Sequence, residues 1–131
     1  MKTKWLEKVK KQVSEANSQG LKLKIVGDDS KSFYGNPVKG SKTVVFTKEY
    51  NGVIDYQPSE LNIVVRCGTK IRDIEKRLDK NNQFLNFEPP RFYKQLKNHK
   101  KILKSGTVGG MVATGLAGPG RFHYGGCRDS V

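Results

Sequence analysis

The chain has 131 residues and a formal net charge of +13, with 25 lysines and arginines against 12 aspartates and glutamates. That length can bury a core without staples, and its 2 cysteines, Cys67 and Cys127, stand in unlike settings that exclude a disulfide scaffold and a paired-cysteine metal site, so reduced thiols are expected. The lysines are scattered and arginine is the minority cation, which describes a solvated basic surface; nothing resembles an apolar signal core or the roughly 20 apolar residues of a membrane span, so a soluble, cytoplasmic chain is expected.

Trp5, Val9, Val13 and Ala16, with Leu6 beside them, recur at helical spacing and predict an amphipathic helix over 3–18, stopped by Gly20. Leu21, Leu23 and Ile25 alternate with Lys22 and Lys24, the period of a half-buried strand that runs into Gly27-Asp28-Asp29-Ser30-Lys31. After a loop through Tyr34-Gly35-Asn36-Pro37, a second strand is expected at 43–47, a third at 52–56 and a fourth over Leu61–Cys67. Thr69 is the expected N-cap of a helix that places Ile71, Ile74 and Leu78 on one face, closed by Asn81-Asn82.

Beyond Phe84 the character changes, and a subdomain boundary is expected within 84–106. Glu88-Pro89-Pro90 sets an extended turn. The run RFYKQLKNHKKILK, residues 91–104, reads as a basic helix or loop suited to an acidic partner. Then Gly106-Thr107-Val108-Gly109-Gly110 leads into a short helix of small residues, including Ala113, Thr114 and Gly115.

Two segments suit an anion. The turn from Gly27 to Lys31 could form a nest of backbone N–H groups, with Asp28 and Asp29 opposing that unless their carboxylates turn away. At Gly106–Gly110, unpaired amides at a helix start would face an approaching ligand; close packing of a small-residue helix is the alternative. His99 and His123 lack partners at metal-ligand spacing, no catalytic triad can be assembled, and the Rossmann glycine fingerprint is absent.

The succession KIVGDDSKSFYG, VIDYQPSELNIVVRCGT, FEPP and GTVGGMVATGLAGPGRFHYGGCRDSV resembles, in order, the FAD-binding subunit of bacterial glycolate oxidase, one of the vanillyl-alcohol-oxidase-like flavoproteins. The resemblance implies an α+β fold, a PCMH-type FAD-binding domain that is incomplete: a first α/β subdomain over 1–90, a basic insertion over 91–104 and the start of a second subdomain over 105–131. It implies that Val26, Gly27, Asp28, Asp29, Ser30 and Lys31 form the pyrophosphate loop of FAD. Gly106, Thr107, Gly109 and Gly110 then match the second flavin-contacting loop, with Ala113 and Gly115 on the helix after it, while Arg128 and Asp129 lead toward the next flavin-contacting strand. Asp28 and Asp29 depart from the glycine-rich loops of many relatives, and without a histidine there the FAD is expected to be non-covalent.

By the same resemblance the chain is part of a flavin-dependent oxidoreductase acting on glycolate or a similar 2-hydroxy acid. Its partners would be a second flavin subunit and an iron–sulfur subunit that could bring it to the inner face of the membrane; nucleic acid is not an expected partner. The catalytic residues are unknown, and a chain of this length is not expected to be catalytically competent alone. The rival readings are a basic binding module built on 91–104 and a non-functional remnant.

Overall fold

The computed structural model describes residues 2–36, 40, 43–95 and 101–131. Helix α1 (Lys2–Ser18) turns Trp5, Val9, Gln12 and Ala16 toward the protein, while Val13, expected on that face, is 46% exposed. Trp5 fixes the helix: its ring stacks on Tyr50 at 4.7 Å between centroids and its indole N–H donates to Phe46 O at 3.3 Å. Gly20, at φ +61, ends the helix with paired closing bonds, Gly20 N to Asn17 O and Leu21 N to Ala16 O. Because Leu21 spends its amide on the helix, strand β1 begins later than expected, at Leu23–Val26.

β1 pairs in parallel with β2 (Thr43–Phe46), Leu23 opposite Thr43 and Val26 opposite Phe46. Parallel neighbours need a long crossover, and here the crossover is the segment that carries Gly27–Asn36. Val45 is buried but Ile25, expected to face the core, is 73% exposed. β3 (Val53–Gln57) and β4 (Asn62–Val65) form an antiparallel pair with an irregularity between Val53 and Asp55, joined through Pro58–Glu60 and Leu61 at φ +52. Gln83 ties that turn to the following helix, accepting from Tyr56 Oη at 2.6 Å and donating to Pro58 O at 2.8 Å.

Helix α2 (Ile71–Asp79) buries Ile71, Ile74 and Leu78, as their spacing predicts, and ends near Asn82 at φ +54. Its N-cap is Lys70, not Thr69. The Thr69 hydroxyl is used elsewhere: it donates toward Arg66 O at 2.6 Å and accepts from Gly52 N at 3.0 Å, pinning the end of β4 to the start of β3. The basic run also departs from expectation, since Phe92–Gln95 (β5) and Lys101–Lys104 (β6) pair as antiparallel strands, neither helix nor loop. Residues 96–100, His99 included, lie outside the described residues.

The glycine-rich segment becomes helix α3 (Val108–Thr114), closed by Gly115 at φ +60, and is followed by the short α4 (Arg121–Tyr124). Helices and small two-stranded sheets thus make an α+β fold. Its main cluster joins Ile71 of α2, Phe87, Met111 of α3 and Cys127, with Leu85, Val108, Val112 and Ala117 packed against it. Glu88, at φ +46, accepts from Gly120 N at 2.6 Å and anchors the turn before α4. No helix among the described residues is long and apolar enough to cross a membrane.

Candidate functional site

The end of β1 opens into a cleft of about 530 Å³, within the usual range of ligand sites. The turn after the strand shapes one wall. Asp29 takes the left-handed conformation, φ +53, which turns successive peptide N–H groups toward one side. Among the described residues the amides of Asp29, Ser30 and Lys31 donate to nothing in the protein. The Asp28 carboxylate points across to the other loop, where Oδ2 accepts from Gly106 N at 3.4 Å. Lys31 is half-buried; loss of solvent holds its amine below the ordinary lysine pKa, with the Asp28 charge acting in the opposite sense.

The opposite wall is the start of α3, and its amides are not free. Val108 N donates to Thr69 O at 2.9 Å, Gly109 N to Cys67 O at 2.8 Å and Gly110 N to the Thr107 hydroxyl at 3.4 Å, while Gly106 O accepts from Ile71 N at 3.2 Å. The expectation of unpaired amides at this loop is therefore corrected. The segment from Cys67 to Ile71 runs alongside as a bridge partner, Lys70 opposite Thr107, and takes up the bonds that a bare helix start would offer to a ligand. Gly109 has no room for a side chain, since a methyl there would meet Cys67 Cβ at 3.0 Å and Cys67 O at 3.1 Å.

The two walls meet through Thr107, only 2% exposed. A methyl on Gly27 would lie 2.3 Å from its hydroxyl oxygen, so the loops touch because Gly27 lacks a side chain. Val26, Gly27, Asp28, Asp29, Ser30 and Lys31 line the cleft from one side, and Thr107, Gly110 and Ala113 from the other. Gly106 lies beside Ser30 and Lys31 at the seam. Gly109, Gly115, Arg128 and Asp129 do not line it. Gly109 packs on Cys67, Gly115 lies under the Arg128 guanidinium at the C-terminus of α3, and the Asp129 carboxylate accepts from Gly126 N at 2.6 Å.

Sequence reasoning missed Lys24, Ser32, Tyr34 and Asn36, which also line the cleft, as does Thr114 beside Ala113. The signal was available for Tyr34 and Asn36, because a crossover leaving the carboxyl end of a parallel strand is where α/β sheets place ligands. His123 sits edge-on to the neighbouring Tyr124 ring and is exposed. Both cysteines are free; Cys127 is fully buried, and loss of solvent raises its thiol pKa against the lowering influence of Arg128. No group of three or more histidine, cysteine or carboxylate side chains suited to a metal occurs among the described residues.

A family described as FAD binding domain matches residues 3–131. Glycolate oxidase subunit GlcE of Escherichia coli (strain K12) is 40% identical over 120 residues, which cover 92% of this chain and 31% of that protein. The chain thus spans under a third of that relative's length. No solved structure matches it.

Proposed function

The chain belongs to the FAD binding domain family, with FAD as its cofactor, and from that premise we propose that the cleft at the end of β1 holds the diphosphate of the cofactor. The observation that carries this reading is the set of unspent amides at Asp29, Ser30 and Lys31 beside the Lys31 amine. Anionic oxygens suit N–H donors that have no other partner, and a half-buried cation adds charge complementarity. Asp28 fits this only because its carboxylate is engaged with Gly106. Gly110 and Ala113 leave the opposite wall low enough for a bulky group to lie against it. No histidine stands in the Gly27–Lys31 turn to bond the flavin covalently.

On the pattern of the glycolate oxidase subunit, the larger protein oxidises glycolate or a related 2-hydroxy acid, and a second flavin subunit and an iron–sulfur subunit accept the electrons. FAD, when bound, supplies the acceptor for a hydride equivalent; this chain's part is to grip and orient it. Residues 1–90 and 105–131 are the first subdomain and the start of the second, with 91–104 inserted between them. That division is one of descent more than of packing, since Ile71 and Phe87 share a core with Met111 and Cys127.

The reading is tested by co-expressing the chain with the partner subunits, purifying through a tag on the chain, and measuring bound flavin and glycolate-dependent dye reduction. Bound FAD with dye reduction that Gly110→Asp abolishes is expected. Bound FAD without any response to 2-hydroxy acids would overturn the substrate, and a flavin content no higher than that of the partner subunits alone would overturn the site.

A further inference from the structure

The crossover that carries the open amides is tied to the protein differently along its length. Its first residues meet the α3 loop, Gly27 at Thr107 and Asp28 at Gly106. Beyond Lys31 the hydrogen bonds among the described residues stay within the turn: the Ser32 hydroxyl donates to Asp29 O at 3.5 Å and Tyr34 N to Lys31 O at 3.0 Å. The link to the rest of the chain is aromatic. Ser32, Tyr34 and Asn36 line the cleft while Phe33, among them, does not; its ring meets that of Phe92 edge to face, with 5.0 Å between centroids and 71° between planes.

Phe92 is a firm point for the crossover to rest on. It opens β5, and the hairpin of β5 and β6 has both feet on α2: Arg91, just before it, pairs with Glu75, and the Ser105 hydroxyl, just after it, accepts from Arg72 N at 2.9 Å. Helix α2 in turn is buried through Ile71, Ile74 and Leu78. Resting on the FAD reading above, we propose that the hairpin braces the cleft: Phe92 is a positioning residue that acts through Phe33 to hold the crossover, and with it the amides of Asp29, Ser30 and Lys31, in the arrangement the cofactor needs. A turn that binds in only one of its arrangements has an affinity reduced by the fraction of chains that hold it, and an edge-to-face ring pair is strong enough to shift that fraction. Linkage is reciprocal, so a cofactor that favours the braced crossover steadies the hairpin in return.

The test compares the full chain with Phe33→Ala, Phe92→Ala, the two together, and Phe92→Tyr, which keeps the ring. Residue-resolved hydrogen exchange without ligand follows the crossover through the Tyr34 N–H, calorimetric titration with FAD follows the cleft, and chemical denaturation follows stability. Phe92→Ala should speed exchange at Tyr34 and weaken FAD about three- to tenfold, with Phe92→Tyr within about twofold of wild type. The double variant should bind no worse than either single one. FAD should slow exchange of the β5 and β6 amides in wild type and lose that effect in Phe33→Ala. Unchanged Tyr34 exchange in Phe92→Ala would overturn the brace whatever FAD does. Lower stability with unaltered FAD affinity would make Phe92 a residue of the fold alone and overturn its positioning role. Faster Tyr34 exchange in Phe92→Ala, with no FAD binding by the folded wild type, would leave the brace standing and overturn the FAD reading.

Discussion

The loops at Gly27–Lys31 and Gly106–Gly110 look alike in composition and do opposite things with their backbones. The first leaves amides unspent and reaches its neighbour through one missing side chain, at Gly27; the second spends its amides on Cys67, Thr69 and Thr107 and packs Gly109 against Cys67 while Gly110 stays open to the cleft. Glycine thus marks where backbone is approached closely, and the identity of what approaches is decided by which strand end lies opposite. One loop is a wall of the cleft by virtue of its open donors, the other by virtue of its low relief.

The difference can be broken first in the packed loop. Gly109→Val forces two methyls against Cys67 and should cost about 2–3 kcal/mol in chemical denaturation; stability near wild type would mean that the loop is not packed as described. Gly27→Ala should cost about 1–3 kcal/mol, because its methyl would meet the buried Thr107 hydroxyl at 2.3 Å. Thr107→Ala in the same chain should recover part of that loss, and a double-mutant cycle that adds without coupling would show that the loops do not touch there. Gly110 separates the two properties: a methyl on it meets only the Thr107 hydroxyl, at 3.4 Å, so Gly110→Ala should change stability by no more than about 0.5 kcal/mol.

A smaller effect concerns pH. The cleft holds Lys24, Asp28, Asp29, Lys31 and Tyr34 as its titratable groups. Lys31 has a pKa below its ordinary 10.5, so the folded chain releases that proton before the unfolded chain does, and this contribution to stability grows as pH rises from the lowered value toward 10.5. FAD affinity runs the other way: it should be flat through neutral pH and fall as Lys31 loses its charge, while Lys31→Arg stays flat. The smallest expected effect is chemical, with Cys67 alkylated before the buried Cys127 in the native chain.

Much of this was legible beforehand. The spacing of Ile71, Ile74 and Leu78 announced α2 and its buried face, Gly20 announced the end of α1, and the two loops were singled out by their glycines. Local chemistry decides such features. What was not legible depends on partners distant in sequence: Thr69 is a reasonable cap until Gly52 competes for its hydroxyl, and Gly106–Gly110 is a reasonable anion loop until residues 67–71 lie beside it. Ile25 fits the period of a half-buried strand, yet its exposure is set by what covers the sheet. Arg128 and Asp129 were attached to the site by resemblance, and the structure sets them against Gly115 and Gly126.

The most direct measurement is a titration of the purified, folded chain with FAD, followed by flavin fluorescence and thermal shift, with Gly110→Asp alongside. Saturable binding that raises Tm and disappears in Gly110→Asp, whose carboxylate would enter the cleft, is the predicted result. Binding that survives Gly110→Asp unchanged, or no binding by the wild type at high micromolar FAD, would contradict the assignment of the cofactor to this cleft.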